Sequence, residues 1–362
     1  CIRDSFLSEC FSEQGTVWEL NATDEANIKI IRTPGAVSQE GDGVAVSVAE
    51  NAAIALMYID KLESDQGVAI SGSVSGQLRV HGIGEITTNE GQAVALTGGA
   101  SPKSFVEFLD IGTVTGTAAG ADLFSVTEVN HTRVVNIPTV DGGSTSTSAY
   151  LVKLFGPGEG LGKIEMIDVV NVTAAQARGG VYIRNCGNAE MYCTSSPGSV
   201  TLDTGVTHCV IAYSVNLVVR NYSQFSNTDN TVRGFYGVNC TSLTLENIDT
   251  IEGSWGVLIQ NILGQLTIRD CSTIKTCPDS ENTALTIGGP GKVLIQGTTE
   301  TTIEAKDKDK IAIDINMTDS LRPDVYLQGV SVTPSKGKIS IQNCNPQIHG
   351  CEFTGTTDIS RG

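Results

Sequence analysis

The residues able to do chemistry are few and scattered. Four histidines, His81, His131, His208 and His349, stand apart, with none three or four positions from another, so no zinc-ligand spacing appears. His81 falls at an expected corner of the chain and His131 is the middle of a glycosylation sequon, which makes solvated or corner positions the simpler reading. Two glycine-rich stretches, GPGEGLGK (156–163) and GGPGK (288–292), end in Gly-Lys. A phosphate-binding loop needs another glycine separated from that pair by four residues, and Ser or Thr after it. Pro157 and Thr286 stand where that glycine belongs, and Ile164 and Val293 follow the lysines, so both stretches read as turns. There is no Gly-X-Ser-X-Gly elbow. No catalytic residue, cofactor or metal site is expected from these patterns.

Cysteine and asparagine carry the other chemical signals. Ten cysteines, an even number, fit disulfides in an oxidising compartment. Their separations suggest local staples: Cys1–Cys10 across the N-terminal segment, and Cys186–Cys193, Cys271–Cys277 and Cys344–Cys351 across corners. Cys209 and Cys240 would lie at opposite ends of neighbouring strands, ~17 Å apart and too far to bond. They are either buried thiols, or Cys193 pairs with Cys209 and the other pairings change. Six Asn-X-Ser/Thr sequons occur, at Asn21, Asn130, Asn171, Asn221, Asn239 and Asn316. Chance would give about 4. Cysteines and sequons together point to a secreted or cell-surface glycoprotein.

Composition narrows the class. Net charge is −17, which repels nucleic-acid phosphates and anionic membranes. Charged residues are 17% of the chain, aromatics 5%, and glycine numbers 40, a profile of many short strands and turns. The densest charge run, EAKDKDK (304–310), alternates in sign and reads as a solvated turn. No apolar run approaches the length of a membrane-spanning helix. No signal peptide is visible, so a secretory leader would have to precede Cys1.

The elements that must position these residues repeat. Short strands of alternating apolar residues begin at Val44, Val68, Val94, Phe124, Tyr150, Val181, Val210, Phe235, Val257, Leu285, Ile313 and Ile339, at intervals of 22–31 residues. A second strand follows in most units, beginning at Leu78, Phe105, Ile164, Leu217, Leu243, Leu266, Val293 and Val325. LTLEN, VLIQN and LTIRD share one logic. Two apolar residues face inward, a long polar residue follows, and Asn or Asp makes the corner. Asn, Asp and Gly tolerate the left-handed backbone of a sharp corner. Asn185, Asn221, Asn247, Asn261, Asp270, Gly297, Gly329 and Asn343 fill that place, with Gly82 doing so earlier.

Units of this length fit one turn of a parallel β-helix. The pattern resembles the right-handed parallel β-helix, pectin-lyase-like superfamily in period and corner chemistry over roughly residues 27–355. That resemblance implies an all-β solenoid of about 11–12 coils, roughly 55 Å long. Residues 1–26 are expected as an N-terminal cap and 356–362 as a tail. Within the cap, residues 4–15 read as a short helix, capped by Asp4 or Ser5, with Leu7 and Phe11 on its apolar side and Gly15 as its stop.

The superfamily holds polysaccharide lyases, glycoside hydrolases, adhesins and surface fibres, so fold alone selects nothing. Hydrolases of the polygalacturonase type share an Asn-Thr-Asp, an Asp-Asp pair, a Gly-His-Gly and an Arg-Ile-Lys. Here only Asn227–Thr228–Asp229 is present. One tripeptide cannot supply the paired carboxylates of an inverting mechanism. No Arg or Lys stands beside an Asp cluster as a calcium-dependent lyase would require. The expectation is therefore a structural or adhesive rod that self-associates, or joins other extracellular structural proteins, into a fibre or coat. Glycans are a further expected partner, nucleic acid and a membrane span are not, and a carbohydrate-active enzyme is the alternative.

Overall fold

The computed structural model describes residues 10–99, 101–116, 121–143, 149–227, 231–305, 310–318, 324–333, 338–353 and 357–360. The chain is an all-β parallel solenoid of about 12 turns, with no helix among the described residues. It divides into two compact units, Cys1–Ala189 and Glu190–Gly362. Each turn lays three short strands on those of the preceding turn, always in parallel.

In the first unit, the first sheet stacks Trp18–Ala22, Val44–Val48, Val68–Val74, Gln92–Gly98, Phe124–Thr127 and Tyr150–Phe155. The second stacks residues 27–31, 53–57, Gln77–His81, Phe105–Leu109, 131–135 and 163–167. The second unit repeats the scheme. Its first sheet runs through Arg233–Val238, Val257–Gln260, Leu285–Gly289, Ile311–Met317 and Lys338–Gln342. Its second runs through residues 242–246, Gln265–Arg269 and 292–296 to Asn345–His349.

Inward positions form columns. Val44, Ile70, Val94, Phe124, Val152 and Val181 share one register in the first unit, and all are buried. Val210, Phe235, Val257, Leu285, Ile313 and Ile339 do the same in the second. Each such side chain contributes about 1.5–3 kcal/mol by leaving water.

The expected column differs at three points. Val68 and Tyr150 lie two residues ahead of the true register, a slip that keeps the same face inward. Phe105 is one residue off: Val106 and Phe108 point in, while Phe105 faces His131 edge-on at 5.1 Å. In FVEFL both parities are apolar, and Glu107 decides between them because a carboxylate cannot face the core.

Corners follow the expected chemistry with one exception. Gly82, Asn185, Asn221, Asn247, Asn261, Asp270, Gly329 and Asn343 all have φ between 51° and 63°. Gly297 does not have positive φ, and the register shifts there between Gln296 and Thr301. Arg32, Tyr58, Glu128 and Ser214 also take the left-handed conformation, although their side chains do not favour it. The corner imposes it.

A second corner device was not apparent from strand periodicity. Ser38, Ser64 and Thr88 each stand three residues before a glycine. Ser64 Oγ donates to the Gly41 carbonyl of the preceding turn at 2.7 Å and accepts the Gly67 amide of its own turn at 2.9 Å. Ser38 bridges Gly15 and Gly41 the same way, and Thr88 accepts the Gly91 amide. A Cβ on Gly41, Gly67 or Gly91 would strike the backbone of the turn before.

Strand pairing begins at Cys10–Ser12, against residues 36–38, inside the segment expected to cap the solenoid. Phe11, expected on the buried side of a helix, is 57% exposed in that strand. Residues 13–15 form a bend, and residues 4–9 of the expected helix, with Cys1, lie outside the described residues.

Candidate functional site

The cysteines resolve first, because they bear on every other reading. Cys186, Cys271, Cys344 and Cys351 are free thiols, so the expected Cys186–Cys193, Cys271–Cys277 and Cys344–Cys351 bridges do not form. The interval between the last two pairs is a strand rather than a corner: Thr273–Thr276 and Asn345–His349. Six or seven extended residues hold their ends about 20 Å apart, far beyond the ~7 Å limit between bridged Cα atoms.

The cysteines have another role. Cys186, Cys240, Cys271 and Cys344 each follow a left-handed residue, Asn185, Asn239, Asp270 and Asn343. At other corners the same place holds Ile59, Ile83, Ile111, Ile137, Ile248 or Ile262, all buried. The thiols are core side chains. Burial pushes Cys186, Cys240 and Cys271 up to about 12 and moves Cys209 further in the same direction. Cys209 and Cys240 are thus the buried thiols that one expected alternative called for.

Two histidines join a charge ladder on the outer face of the first unit's second sheet. Arg79, Glu107, Arg133 and Glu165 occupy one register column, about 4.8 Å apart. Glu107, only 7% exposed, takes His81 Nε2 at 2.7 Å and Arg133 at 2.6 Å. Glu165 takes His131 Nε2 at 2.6 Å and Lys163 Nζ at 2.9 Å. Burial raises the Glu165 carboxyl, but hydrogen bonds from Lys163 and His131, with their charges, carry it below its ordinary value. His81 and His131 are therefore hydrogen-bond partners of carboxylates on a strand face. Their spacing of 50 residues hid this, since neighbours here lie one turn apart. His349 lies against Tyr326 at 5.4 Å.

A shallow groove lies on the first sheet of the second unit. Tyr236, Leu258, Thr286, Asp314 and Ser340 form one outward column, and Val238, Gln260, Gly288, Asn316 and Gln342 the next. Side chains shrink at Thr286 and Gly288, leaving a groove of about 380 Å³. Leu258 gives it an apolar wall, while Gln260, Thr286, Asp314, Asn316 and Thr318 line it with polar groups. Gly288 keeps negative φ, and a Cβ there would rest in ordinary contact 3.4 Å from the Asn316 carbonyl oxygen. The notch is thus a gap in side chains and owes nothing to a special backbone.

An aromatic cluster borders it. The Tyr236 hydroxyl donates to Gln260 Oε1 at 2.6 Å. His208 stacks on Tyr236 with ring centroids 4.6 Å apart and planes 5° from parallel. The Arg233 guanidinium lies 4.8 Å from the Tyr236 centroid and 5.0 Å from that of Trp255. Arg233 also donates to His208 Nε2 at 2.9 Å, which requires a neutral His208 carrying its proton on Nδ1. Burial raises the Tyr236 phenol, with Arg233 lowering it and Tyr213 raising it further, so the hydroxyl stays a donor.

Chemically, the groove offers one carboxylate, amide and hydroxyl partners, and an apolar wall. It can hydrogen-bond vicinal hydroxyls, and it lacks the second carboxyl group that glycoside hydrolysis by a carboxyl pair uses.

The sequons lie on both units. Asn130 and Asn171 donate to the Pro102 and Pro138 carbonyls, and Asn221 to that of Cys193. Asn239 accepts from Asn261 at 2.7 Å and Asn316 from Asn343 at 2.9 Å, in ladders that join successive turns. Asn21 is exposed on a strand of the first sheet. Asn227 of the Asn-Thr-Asp tripeptide is fully buried and donates to the Leu202 carbonyl, while Thr228 and Asp229 lie outside the described residues. Of the charge run 304–310, residues 306–309 lie outside them too, and Lys310 pairs with Glu281. No group of three or more His, Cys, Asp or Glu side chains placed to hold a metal occurs among the described residues. No family model, curated protein or solved structure matches the chain.

Proposed function

We propose that the chain is a secreted or cell-surface structural and adhesive glycoprotein, a right-handed β-helix of the pectin-lyase-like type, that grips neutral carbohydrate along the first sheet of its second unit. The groove at Gly288 carries this reading. It combines an apolar wall at Leu258 with Gln260, Thr286, Asp314 and Asn316 as hydrogen-bonding partners, beside the Tyr236 cluster. Ligand sites of this kind are concave, partly apolar and fixed by a few polar groups. Cys186, Cys240, Cys271 and Cys344 serve as buried core thiols and so lend no support to an oxidising compartment, and the extracellular assignment rests on the sequons. Flat faces built from asparagine ladders and alternating charges suit lateral assembly with a second copy or with other extracellular structural proteins.

The test is calorimetric titration of the full chain, made in a host that does not N-glycosylate, with neutral gluco- and N-acetylglucosamine oligosaccharides. Binding with Kd of about 0.1–1 mM is expected, roughly 4–5.5 kcal/mol. Asp314→Asn should weaken it tenfold or more, since a hydrogen bond to a charged group is worth ~1.5–3 kcal/mol. Heat-silent titrations across the series, or an affinity indifferent to Asp314, would remove the groove from the account. Light scattering over a wide concentration range tests assembly, and a strict monomer would exclude it.

A further inference from the structure

We infer that the groove's resident occupant is the chain's own glycan, carried on Asn316, and that this glycan gates the groove against free saccharide; the inference rests on the carbohydrate reading above. The sequon Asn316–Met317–Thr318 is part of the groove itself, with Asn316 and Thr318 in its lining and Met317 buried beneath. Asn316 is exposed, and its register partner in the preceding turn is Gly288, the residue whose missing side chain opens the notch. Its Oδ1 accepts the Asn343 amide of the following turn. That bond engages Oδ1 with the following turn and leaves Nδ2, the atom that takes a sugar, out of it.

None of the other sequons lines this groove. Asn130, Asn171 and Asn221 already donate Nδ2 to backbone carbonyls. Asn239 accepts on Oδ1 as Asn316 does, but it is half-buried at a left-handed corner. Asn21 stands exposed on a strand of the first unit. Attachment forms a bond from sugar C1 to Nδ2 as the C1–O bond to a lipid diphosphate donor breaks, with one amide proton released. The product keeps one N–H and leaves Oδ1 on Asn343. Its first ring then lies over Gly288, between Leu258 and Asp314, where the groove already offers an apolar wall and a carboxylate.

The experiment compares glycosylated chain from a eukaryotic secretory host with unglycosylated chain. Glycopeptide mass spectrometry reads occupancy at Asn316 and Asn21, and timed digestion of the native protein with an endoglycosidase reads protection. Asn316 is expected to be occupied and to lose its glycan at least tenfold more slowly than Asn21. Gly288→Leu, which fills the notch without backbone strain, should bring the two rates together. N,N′-Diacetylchitobiose should bind the unglycosylated chain and not the glycosylated one.

An empty Asn316, or equal release rates in the parent protein, would overturn the inference. Failure of chitobiose to bind unglycosylated chain while the Asn316 glycan stays protected would instead sink the adhesive reading, and the gating with it, and leave only the contact between glycan and groove standing.

Discussion

Cys271→Val is expected to leave the protein about as stable as its parent near neutral pH and more stable than its parent above pH 9. Cys271 is 1% exposed, follows left-handed Asp270, and donates weakly to the Leu245 carbonyl. Valine matches its volume closely, so the substitution should cost less than ~1.5 kcal/mol. The pH dependence follows from burial, which raises the thiol from an ordinary 9.0 to about 12. A raised thiol pKa means that the folded chain holds its proton where the unfolded chain has lost it. The stabilisation is whole below pH 9 and is lost as pH climbs toward 12. At pH 10 the loss is on the order of 1 kcal/mol for this one group. Cys186 and Cys240, also raised to about 12, should each add as much.

Urea denaturation at pH 7.5 and pH 10, with and without dithiothreitol, reads these terms. The parent should be indifferent to reductant, and Cys271→Val should lose on the order of 1 kcal/mol less than the parent between the two pH values. A disulfide at Cys271 would behave otherwise. It would not titrate, reductant would matter, and its loss would cost ~2–5 kcal/mol at every pH. Either reductant sensitivity or an unchanged pH slope would refute the core-thiol argument.

Two glycines should respond oppositely to alanine. Gly72 has φ of 142° and a Cβ there would collide with the Val46 carbonyl, so Gly72→Ala should cost at least about 2 kcal/mol. Gly288→Ala should gain ~0.5–1 kcal/mol, and urea midpoints measure both. Asn261→Ala removes a ladder bond at a φ of 63° and should cost ~1–2 kcal/mol, whereas Asn261→Gly should cost less because it keeps the backbone. Glu165, held below its ordinary value, stabilises the fold above the carboxylate range and loses that effect on acidification. Glu165→Gln should therefore be the less stable protein at pH 7, with the gap closing near pH 4, in denaturation runs at the two pH values.

Most of the architecture could be read from apolar alternation and from Asn, Asp and Gly at corners, because a turn that stacks on itself repeats those two demands. Glu107 shows where that reading stopped. Five residues of FVEFL satisfy both parities, and only the cost of burying a carboxylate fixes the face. The site was less legible. Gly288 and Asn316 are 28 residues apart and meet only through register. The same is true of His131 and Glu165, 34 residues apart. Spacing searches tuned to helices or loops miss partners one turn away. The cysteine pairs misled because short separations suggest corners where strands lie between, and the clue is the left-handed residue just before Cys186, Cys271 and Cys344.

The serine–glycine corner has an evolutionary consequence. Ser64 makes its two bonds to the turn below and to the glycine three positions ahead, and Thr88 holds Gly91 in the same relation. Excising residues 65–88 would place Asn89, Glu90 and Gly91 directly after Ser64, restoring hydroxyl, two spacers and glycine at the seam. The strand Gln92–Gly98 would then settle on Val44–Val48. Whole turns in this part of the chain are thus interchangeable segments, and unequal recombination could lengthen or shorten the stack one storey at a time without redesigning a single corner.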